Sequence, residues 1–164
     1  MNPILISTTG SDRATGYNMS NKIIRTTDTL FTGWLDAPSQ PGDTVKIRLG
    51  IHDPESGDLE STQTLGEGID NHCGPPLAMD PTDRMHAIVG HHHGPFLYRW
   101  SDNPVDPDSW SAPDPLGPAD TYPSLTIDAE GTLHLAHRVK ADRWQLWYRR
   151  KKQGQNWEPP VPLA

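Results

Sequence analysis

Four residues between positions 72 and 138 carry the side chains that proton transfer at a carboxylate-bearing substrate would need. His72 lies in DNHCGPP and Tyr122 in DTYPSL, each just before a predicted strand. His92 is the middle histidine of HHHGPF and Arg138 ends LHLAHR, so both close a following strand. Imidazole exchanges protons near neutral pH, a phenol can donate one, and guanidinium binds carboxylate through two parallel hydrogen bonds. The pattern favours an acid–base site.

Each of these residues also has a structural interpretation. His72 could cap a loop, and His92 could be a rim histidine in a polar loop. Tyr122 could pack before a proline turn, and Arg138 could pair with a structural aspartate. We assign no chemical step to His91 or His93, the other two histidines of the run.

A metal site is a further alternative. His72, Cys73 and the histidine run contain zinc-ligating atoms. However, adjacent residues of a strand point to opposite faces, and the chain has no Cys-x-x-Cys or His-Glu-x-x-His motif. We expect no required cofactor, and a structural zinc or calcium ion stays open.

The elements that must position these side chains repeat along the chain. The stretch PPLAMDPTDRMHAIVG (75–90) matches PSLTIDAEGTLHLAHR (123–138) after a shift of 48 residues. The matched positions are Pro75 and Pro123, Leu77 and Leu125, Asp80 and Asp128, His86 and His134, and further on Trp110 and Trp157. Each unit predicts a strand, an Asp-containing turn, two more strands and a Trp-bearing strand. A period of ~45–50 residues with four short strands is typical of a β-propeller blade.

The repeat predicts an all-β protein whose propeller blades are four-stranded and antiparallel. A more divergent unit precedes the two matching ones, which gives about three blades, whereas propellers usually close with ~4–8. We therefore expect an irregular N-terminal segment at 1–20 and a partial propeller at 21–164, completed by missing blades or by self-association. Strand alternation places His92 and Arg138 on equivalent faces at one rim. His86 and His134 recur with the unit, which favours a scaffold role.

Composition agrees with this fold and excludes some functions. The 164 residues include 17 Pro and 14 Gly, which disfavour long helices. A net charge of −7 argues against a general nucleic-acid binder. Seven of the 14 basic residues nevertheless cluster late in the chain and could meet an anionic ligand: Arg138, Lys140, Arg143, Arg149, Arg150, Lys151 and Lys152. An edge hairpin with protective charges is the alternative for the last four. No apolar run approaches the ~20 residues of a membrane span.

The quoted motifs resemble a known family. DNHCGPPLAMD, HAIVGHHHGPFLYRWS and TYPSLTIDAEGTLHLAHR are similar to the BNR-repeat, neuraminidase-like propellers that include ulvan lyases, over roughly residues 20–164. The resemblance implies a seven-bladed ring and a polysaccharide lyase acting on sulfated rhamnose–uronate polymers. It also implies a secreted or periplasmic location, although MNPILIS is too short and uncharged for a secretory signal.

The resemblance identifies His72, His92, Tyr122 and Arg138 with the family's catalytic set. In β-elimination, Arg138 and His92 would neutralise the uronate carboxylate and stabilise the developing enolate-like charge. His72 and Tyr122 would serve as base and acid, in either order. We expect Asn71 and His93 to contact the anionic polysaccharide.

Two other functions compete with the lyase. A glycoside hydrolase on rhamnose–glucuronate linkages would need two carboxylates about the scissile bond, and Asp70 and Asp120 are the placed candidates. A non-catalytic propeller fragment that binds glycan is the second alternative, because a fold does not imply a function.

Overall fold

The strands of the chain fall into two antiparallel sheets. The computed structural model describes residues 3–15, 21–37, 40, 43–70, 72, 74–90, 92 and 94–163. A four-stranded N-terminal sheet contains, in spatial order, β1 (Ile23–Arg25), β2 (Leu30–Asp36), β3 (Val45–His52) and β4 (Leu59–Gly68). Each strand pairs with the next along the chain, which is the meander expected of one repeat unit.

The second sheet has seven strands and contains both matching repeats. Its strands are β5 (Leu77–Met79), β6 (Met85–Gly90), β7 (Gly94–Ser101), β8 (Asp114–Ile127), β9 (Leu133–Lys140), β10 (Trp144–Lys151) and β11 (Val161–Pro162). Strand β8 pairs with β7 through residues 114–120 and with β9 through residues 120–127. One long strand therefore closes one four-stranded unit and opens the next. We call the N-terminal sheet unit I, β5 to the first part of β8 unit II, and the rest unit III.

The repeat has a shared hydrogen-bond network. The Asp80 carboxylate accepts the backbone N–H groups of Thr82 and Arg84 at 2.8 and 3.1 Å, which shapes the β5–β6 turn. His86, on the strand that follows, lies 2.7 Å from the Tyr98 hydroxyl and 3.5 Å from Asp80. Unit III repeats the network with Asp128, His134 and Tyr148, where the two histidine contacts are 3.0 and 2.7 Å. These contacts support the scaffold role expected for His86 and His134.

The core lies between successive units. All six residues of β6 are buried. Met85, Ala87 and Val89 pack against unit I, whereas Ile88 belongs to the cluster shared with unit III. The predicted Trp-bearing strands are wrong in detail, because Trp110 and Trp157 lie in the segments before β8 and β11. Each tryptophan instead bridges units.

The N-terminal segment follows the edge of unit I. Leu35 N–H donates to Ala14 at 2.7 Å, and Ala37 N–H donates to Thr9 at 2.7 Å. Gly10 forms an isolated bridge with Asp36. The described part of this segment thus reaches the end of β2, although it contains no regular strand. The domain boundary at residue 20 stays a prediction.

Membrane crossing by a helix is not supported. Within the described ranges, no helix is both long enough and apolar enough to span a bilayer.

Candidate active site

The four predicted residues lie at one end of the strands. His72 follows the end of β4, His92 lies between β6 and β7, and Arg138 is two residues before the end of β9. These positions lie at one rim because Asp120, in the middle of β8, pairs both with Gly94 at the start of β7 and with Val139 near the end of β9. Asn71 and His93, the two predicted substrate contacts, lie outside the described residues, as do Cys73 and His91.

His72 and His92 form a stacked pair. Their ring centroids are 4.2 Å apart and their planes differ by 23°. The carboxylate of Asp70 lies against both rings, with Oδ1 3.0 Å from His72 Nδ1 and Oδ2 2.6 Å from His92 Nδ1. Oδ1 also accepts the backbone N–H of His72 at 2.8 Å. A single carboxylate therefore orients both imidazoles.

The charge of Asp70 is stabilised by these contacts. Partial burial alone would raise the pKa of the Asp70 carboxyl. The hydrogen bonds from the His72 amide, the His92 ring and the His72 ring outweigh burial and lower that pKa below its ordinary value. Asp70 is therefore ionised at neutral pH and can only accept hydrogen bonds.

A cation approaches the opposite nitrogen of His72. Arg13 Nη1 lies 3.2 Å from His72 Nε2. Because guanidinium only donates, Nε2 of His72 must accept, and the proton of that ring must be on Nδ1. The bonds to Asp70 and Arg13 thus select the same tautomer, in which the lone pair is on Nε2.

Tyr122 lies inside a strand, whereas the sequence placed it just before one. It belongs to β8, at the register shift between Thr121 and Ser124. Its φ of 55° is rare for a residue with a side chain, and it precedes Pro123. The difference arises because β8 runs on from its pairing with β7 to its pairing with β9. The kink at this change brings the Tyr122 ring within 5.7 Å of the His72 ring and 6.0 Å of the His92 ring.

Arg138 is held between two aromatic rings. Its guanidinium carbon is 4.3 Å from the centroid of Tyr122 and 4.0 Å from that of Trp144. Its Nε is buried without a hydrogen-bond partner among the described residues. A half-buried guanidinium whose Nε keeps donor capacity is suited to an anionic ligand, because an unmet buried donor is costly. The alternative of a structural aspartate partner finds no support in the described part of the chain.

The sequence missed three residues at this site. The sequence predicts Asp70 only as a carboxylate for hydrolysis and Arg13 only as part of an irregular segment. Trp144 had a detectable signal, because Arg138 pairs with Leu146 in the β9–β10 hairpin. Residues diagonal to a cross-strand pair are within reach of an aromatic side chain. The contact of Arg13 had no such signal, since it depends on how the N-terminal segment crosses unit I.

The second carboxylate considered for hydrolysis lies elsewhere. Asp120 is 1% exposed, and its Oδ2 is 3.5 Å from Nδ1 of the buried His137. A carboxylate packed inside the sheet cannot flank a glycosidic bond, so the arrangement does not provide the pair that hydrolysis usually needs.

Asp70, His72 and His92 also offer the donor atoms of a metal site. One ligand atom from each lies within 4.8 Å of the others. The carboxylate already accepts both Nδ1–H groups, so the same geometry is complete as a hydrogen-bonded trio. The expectation that no cofactor is required stays a prediction, as does the alternative of a structural zinc or calcium ion.

A separate groove lies at the opposite rim. A cavity of about 620 Å³ is bounded by the β1–β2 turn and by the loops that follow β5 and β7. None of the four predicted residues lines it. The chemistry-bearing residues and this groove are therefore at opposite ends of the strands.

Solved structures share this fold. A polysaccharide lyase of family PL25, described as an ulvan lyase, matches with a TM-score of 0.72 and 18% identity over 93% of this chain and 39% of its own. The structure of that lyase type bound to -[GlcA(1-4)Rha3S]- matches with a TM-score of 0.73 and 17% identity, over 94% of this chain and 40% of its own. The crystal structure of the polysaccharide lyase Uly1 matches with a TM-score of 0.66 and 14% identity, over 88% and 41%.

These matches confirm the predicted fold class, an all-β propeller fold built of antiparallel sheets. The chain spans about two fifths of the length of each matched structure. The expected total of seven blades stays a prediction.

Sequence comparison gives the family directly. No curated protein sequence matches the chain significantly. The model of the BNR repeat-containing family matches residues 40–161, which include all four predicted residues and most of the chain. The chain therefore belongs to the BNR repeat-containing family.

Proposed function

We propose that the chain is part of a polysaccharide lyase that cleaves a uronate-containing glycan by β-elimination. The observation that carries the proposal is Arg138, a stacked guanidinium with a buried Nε that has no partner among the described residues. It lies beside a tyrosine and a histidine pair that can move protons. A uronate carboxylate matches this donor, and a proton next to that carboxylate is the one such an enzyme must remove.

The reaction can be assigned to these residues step by step. Arg138 and His92 bind the carboxylate and favour negative charge on it as the adjacent C–H bond breaks. His72 Nε2 releases its contact with Arg13 and uses its lone pair to take the proton from that carbon. The electron pair forms a C=C bond conjugated to the carboxylate, and the bond to the glycosidic oxygen breaks. The Tyr122 hydroxyl gives its proton to the leaving oxygen.

The hydrogen bonds of His72 support its role as base. Asp70 and Arg13 both require the proton on Nδ1 and the lone pair on Nε2. The exchanged assignment, in which Tyr122 is the base and His72 the acid, would require His72 to carry a proton on Nε2 beside the Arg13 guanidinium before the reaction begins. That arrangement places two donors against each other.

The substrate class follows from charge and from the matched structures. The site is cationic through Arg138 and Arg13, and Lys140 lies near the ring of Trp144. One matched lyase is bound to an oligosaccharide of glucuronate and sulfated rhamnose. We infer an ulvan-like, sulfated rhamnose–uronate polymer as the substrate, and a secreted or periplasmic location, where such a polymer is met.

Ultraviolet absorbance of the unsaturated uronate tests the function. Ulvan and other uronate polymers are incubated with the wild-type chain, with His72→Ala and with Tyr122→Phe. We expect a rise for the wild type and at least about a 100-fold slower rise for both variants, because each loses a proton-transfer group. Tyr148→Phe is the matched control, since it removes the equivalent hydroxyl of a tyrosine that contacts His134 instead.

The same variants distinguish base from acid. A substrate with an aryl leaving group needs little protonation of the leaving oxygen. It should restore the rate of Tyr122→Phe and leave His72→Ala slow. The opposite result would exchange the two roles. New reducing ends without ultraviolet absorbance would contradict elimination and favour the hydrolase, and neither signal from a folded chain would favour a glycan-binding scaffold.

A further inference from the structure

The position of Asp70 has a consequence for both histidines. Its two carboxylate oxygens face two different rings, and each oxygen meets an Nδ1 atom. We propose that Asp70 is a positioning residue that holds the proton of both His72 and His92 on Nδ1 and so directs Nε2 of both rings to the substrate. This inference rests on the proposed lyase function for its role in turnover.

The hydrogen-bond donors around Asp70 and His72 determine the tautomer of each ring. An ionised carboxylate has no proton to give, so both Nδ1 atoms must donate. For His72 the contact with Arg13 requires the same tautomer independently, because Nε2 faces a group that only donates. The backbone N–H of His72 adds a third donor to Asp70, on the same oxygen as the His72 ring. The aspartate is therefore fixed in its loop by the residue that it orients.

The stacking of the two imidazole rings restricts how each ring can be oriented. With centroids 4.2 Å apart, neither ring can turn over without losing its bond to Asp70 or the parallel contact. Carboxylates hold catalytic histidines in one tautomer in the same manner in serine proteases. Here a single carboxylate serves two rings. His92 can then donate to a substrate carboxylate from Nε2 only when both of its ring nitrogens carry a proton.

Asparagine at this position gives a specific test. An amide has one oxygen and one NH₂ group, so it can accept from one ring only. The oxygen is expected to stay on the His72 side, where it meets two donors. The NH₂ group would then face His92 and require a lone pair on its Nδ1. Asp70→Asn should therefore move the His92 proton to Nε2 and leave the His72 tautomer unchanged.

Nitrogen NMR of the imidazoles measures this directly. The chain has eight histidines, and the signals of interest are assigned with His72→Gln and His92→Gln. In the wild type, recorded where the imidazoles are neutral, we expect both rings as Nδ1–H. In Asp70→Asn we expect His92 as Nε2–H. Asp102→Asn is the matched control, because it makes the same charge change at an exposed aspartate that pairs with Arg84.

The spectra separate this inference from the proposed function, because they need no substrate. An Nε2–H signal for His72 or His92 in the wild type would overturn it, and so would an unchanged His92 in a folded Asp70→Asn variant. Where elimination is observed, we expect Asp70→Asn to lower kcat/KM about 100-fold and Asp70→Glu, which keeps both oxygens, to recover part of it. Expected spectra without elimination would support the positioning and contradict the lyase.

Discussion

The residues of the site form two sides with different chemistry. On one side, Tyr122 and Trp144 hold Arg138, whose planar guanidinium can bind a carboxylate through two hydrogen bonds. On the other side, Asp70 holds two imidazoles whose protons can move. The proposed reaction needs both functions at once, since the carboxylate must be neutralised while the adjacent proton is removed.

Arg138→Lys tests whether charge alone is enough. Lysine keeps the positive charge but loses the planar fork and much of the stacking between the two rings. We expect kcat/KM to fall about 100-fold, because the carboxylate is no longer held in one orientation. Steady-state kinetics by ultraviolet absorbance measures the effect.

Arg143→Lys provides the control for this change. It is the same substitution at an exposed arginine of the same hairpin turn. It should leave kcat/KM near the wild-type value. A wild-type kcat/KM for Arg138→Lys would show that Arg138 acts through its charge alone, and equal losses in the two variants would show that the effect is not specific to position 138.

The types of the four residues could be predicted from the sequence, but the residues that hold them in place could not. Histidine, tyrosine and arginine in equivalent places of a repeat indicate proton transfer and anion binding before any fold is known. The double contact of Asp70 depends on loop conformations, and adjacent residues 71 and 73 give no pattern that fixes them. The contact of Arg13 joins positions 59 residues apart.

Among the elements, β8 determines the shape of the site. It changes partner from β7 to β9 near Asp120 and bends at Gly117 and Tyr122, which both have positive φ. Glycine adopts such a φ without steric cost, whereas tyrosine does not. The bend therefore depends on Gly117, and the strained Tyr122 must be stabilised by the residues around it.

Gly117→Ala should strongly destabilise the protein. Its φ is +74°, and an added Cβ would collide with Oδ2 of the buried Asp120. The unfavourable φ and the overpacking together should lower the free energy of unfolding by about 3 kcal/mol. Denaturant titration measures this change.

Gly154→Ala separates the two causes. Its φ is +70°, but a Cβ there would have no neighbour within 4 Å. We expect a loss of about 1 kcal/mol from the backbone alone. If both variants lost the same amount, packing around Asp120 would have no part in the bend.

His86 should make the stability of unit II depend on pH. Burial lowers its pKa from 6.5 to about 4, and nearby Arg84 and Lys151 also lower it, against Asp80. Between these values the unfolded chain binds a proton that the folded chain does not, so stability falls as the pH falls. The free energy of unfolding should therefore change with pH by about 3 kcal/mol over this range in the wild type, and His86→Gln should remove that change.

Unfolding titrations of the wild type and the variant at several pH values provide the test. His134→Gln is the matched control, because His134 has the equivalent partners Asp128 and Tyr148 but its side chain is 30% exposed, against 7% for His86. It should leave the pH dependence close to that of the wild type. If the free energy of unfolding of His86→Gln varied with pH as steeply as that of the wild type, the dependence would come from other groups.

At the scale of the whole molecule, the repeat predicted the architecture well. Alternating apolar residues and Asp-containing turns identify four-stranded units, and the structure contains them. The sequence could not predict that units II and III share β8. Residues 117–123 contain Gly and Pro and look like a break between strands. Tertiary pairing on both sides overrides that local signal, which is why Tyr122 was placed before a strand.

Unit III ends in an apolar face that predicts self-association. Its outer strands and their flanks expose Trp144, Leu146, Val161 and Leu163, each by more than two fifths. Burying such a face against a second copy is favourable. We expect sedimentation velocity to show association that increases with concentration, and Leu146→Lys combined with Leu163→Lys to abolish it.

Val105→Lys is the control for that variant, since Val105 is 46% exposed at the opposite rim. It should associate like the wild type. A wild type that sediments as a monomer at every concentration would contradict the prediction.

The shared strand builds only one side of the site. Tyr122 and Arg138 belong to one continuous sheet, and His92 lies on the connection between two of its strands, β6 and β7. His72 and Asp70 lie instead on the connection from unit I, outside that sheet. A separation of unit I from this sheet would therefore break the bond between Asp70 and His92. Under the proposed function, the alignment of the two histidines would then depend on the contact between unit I and unit II.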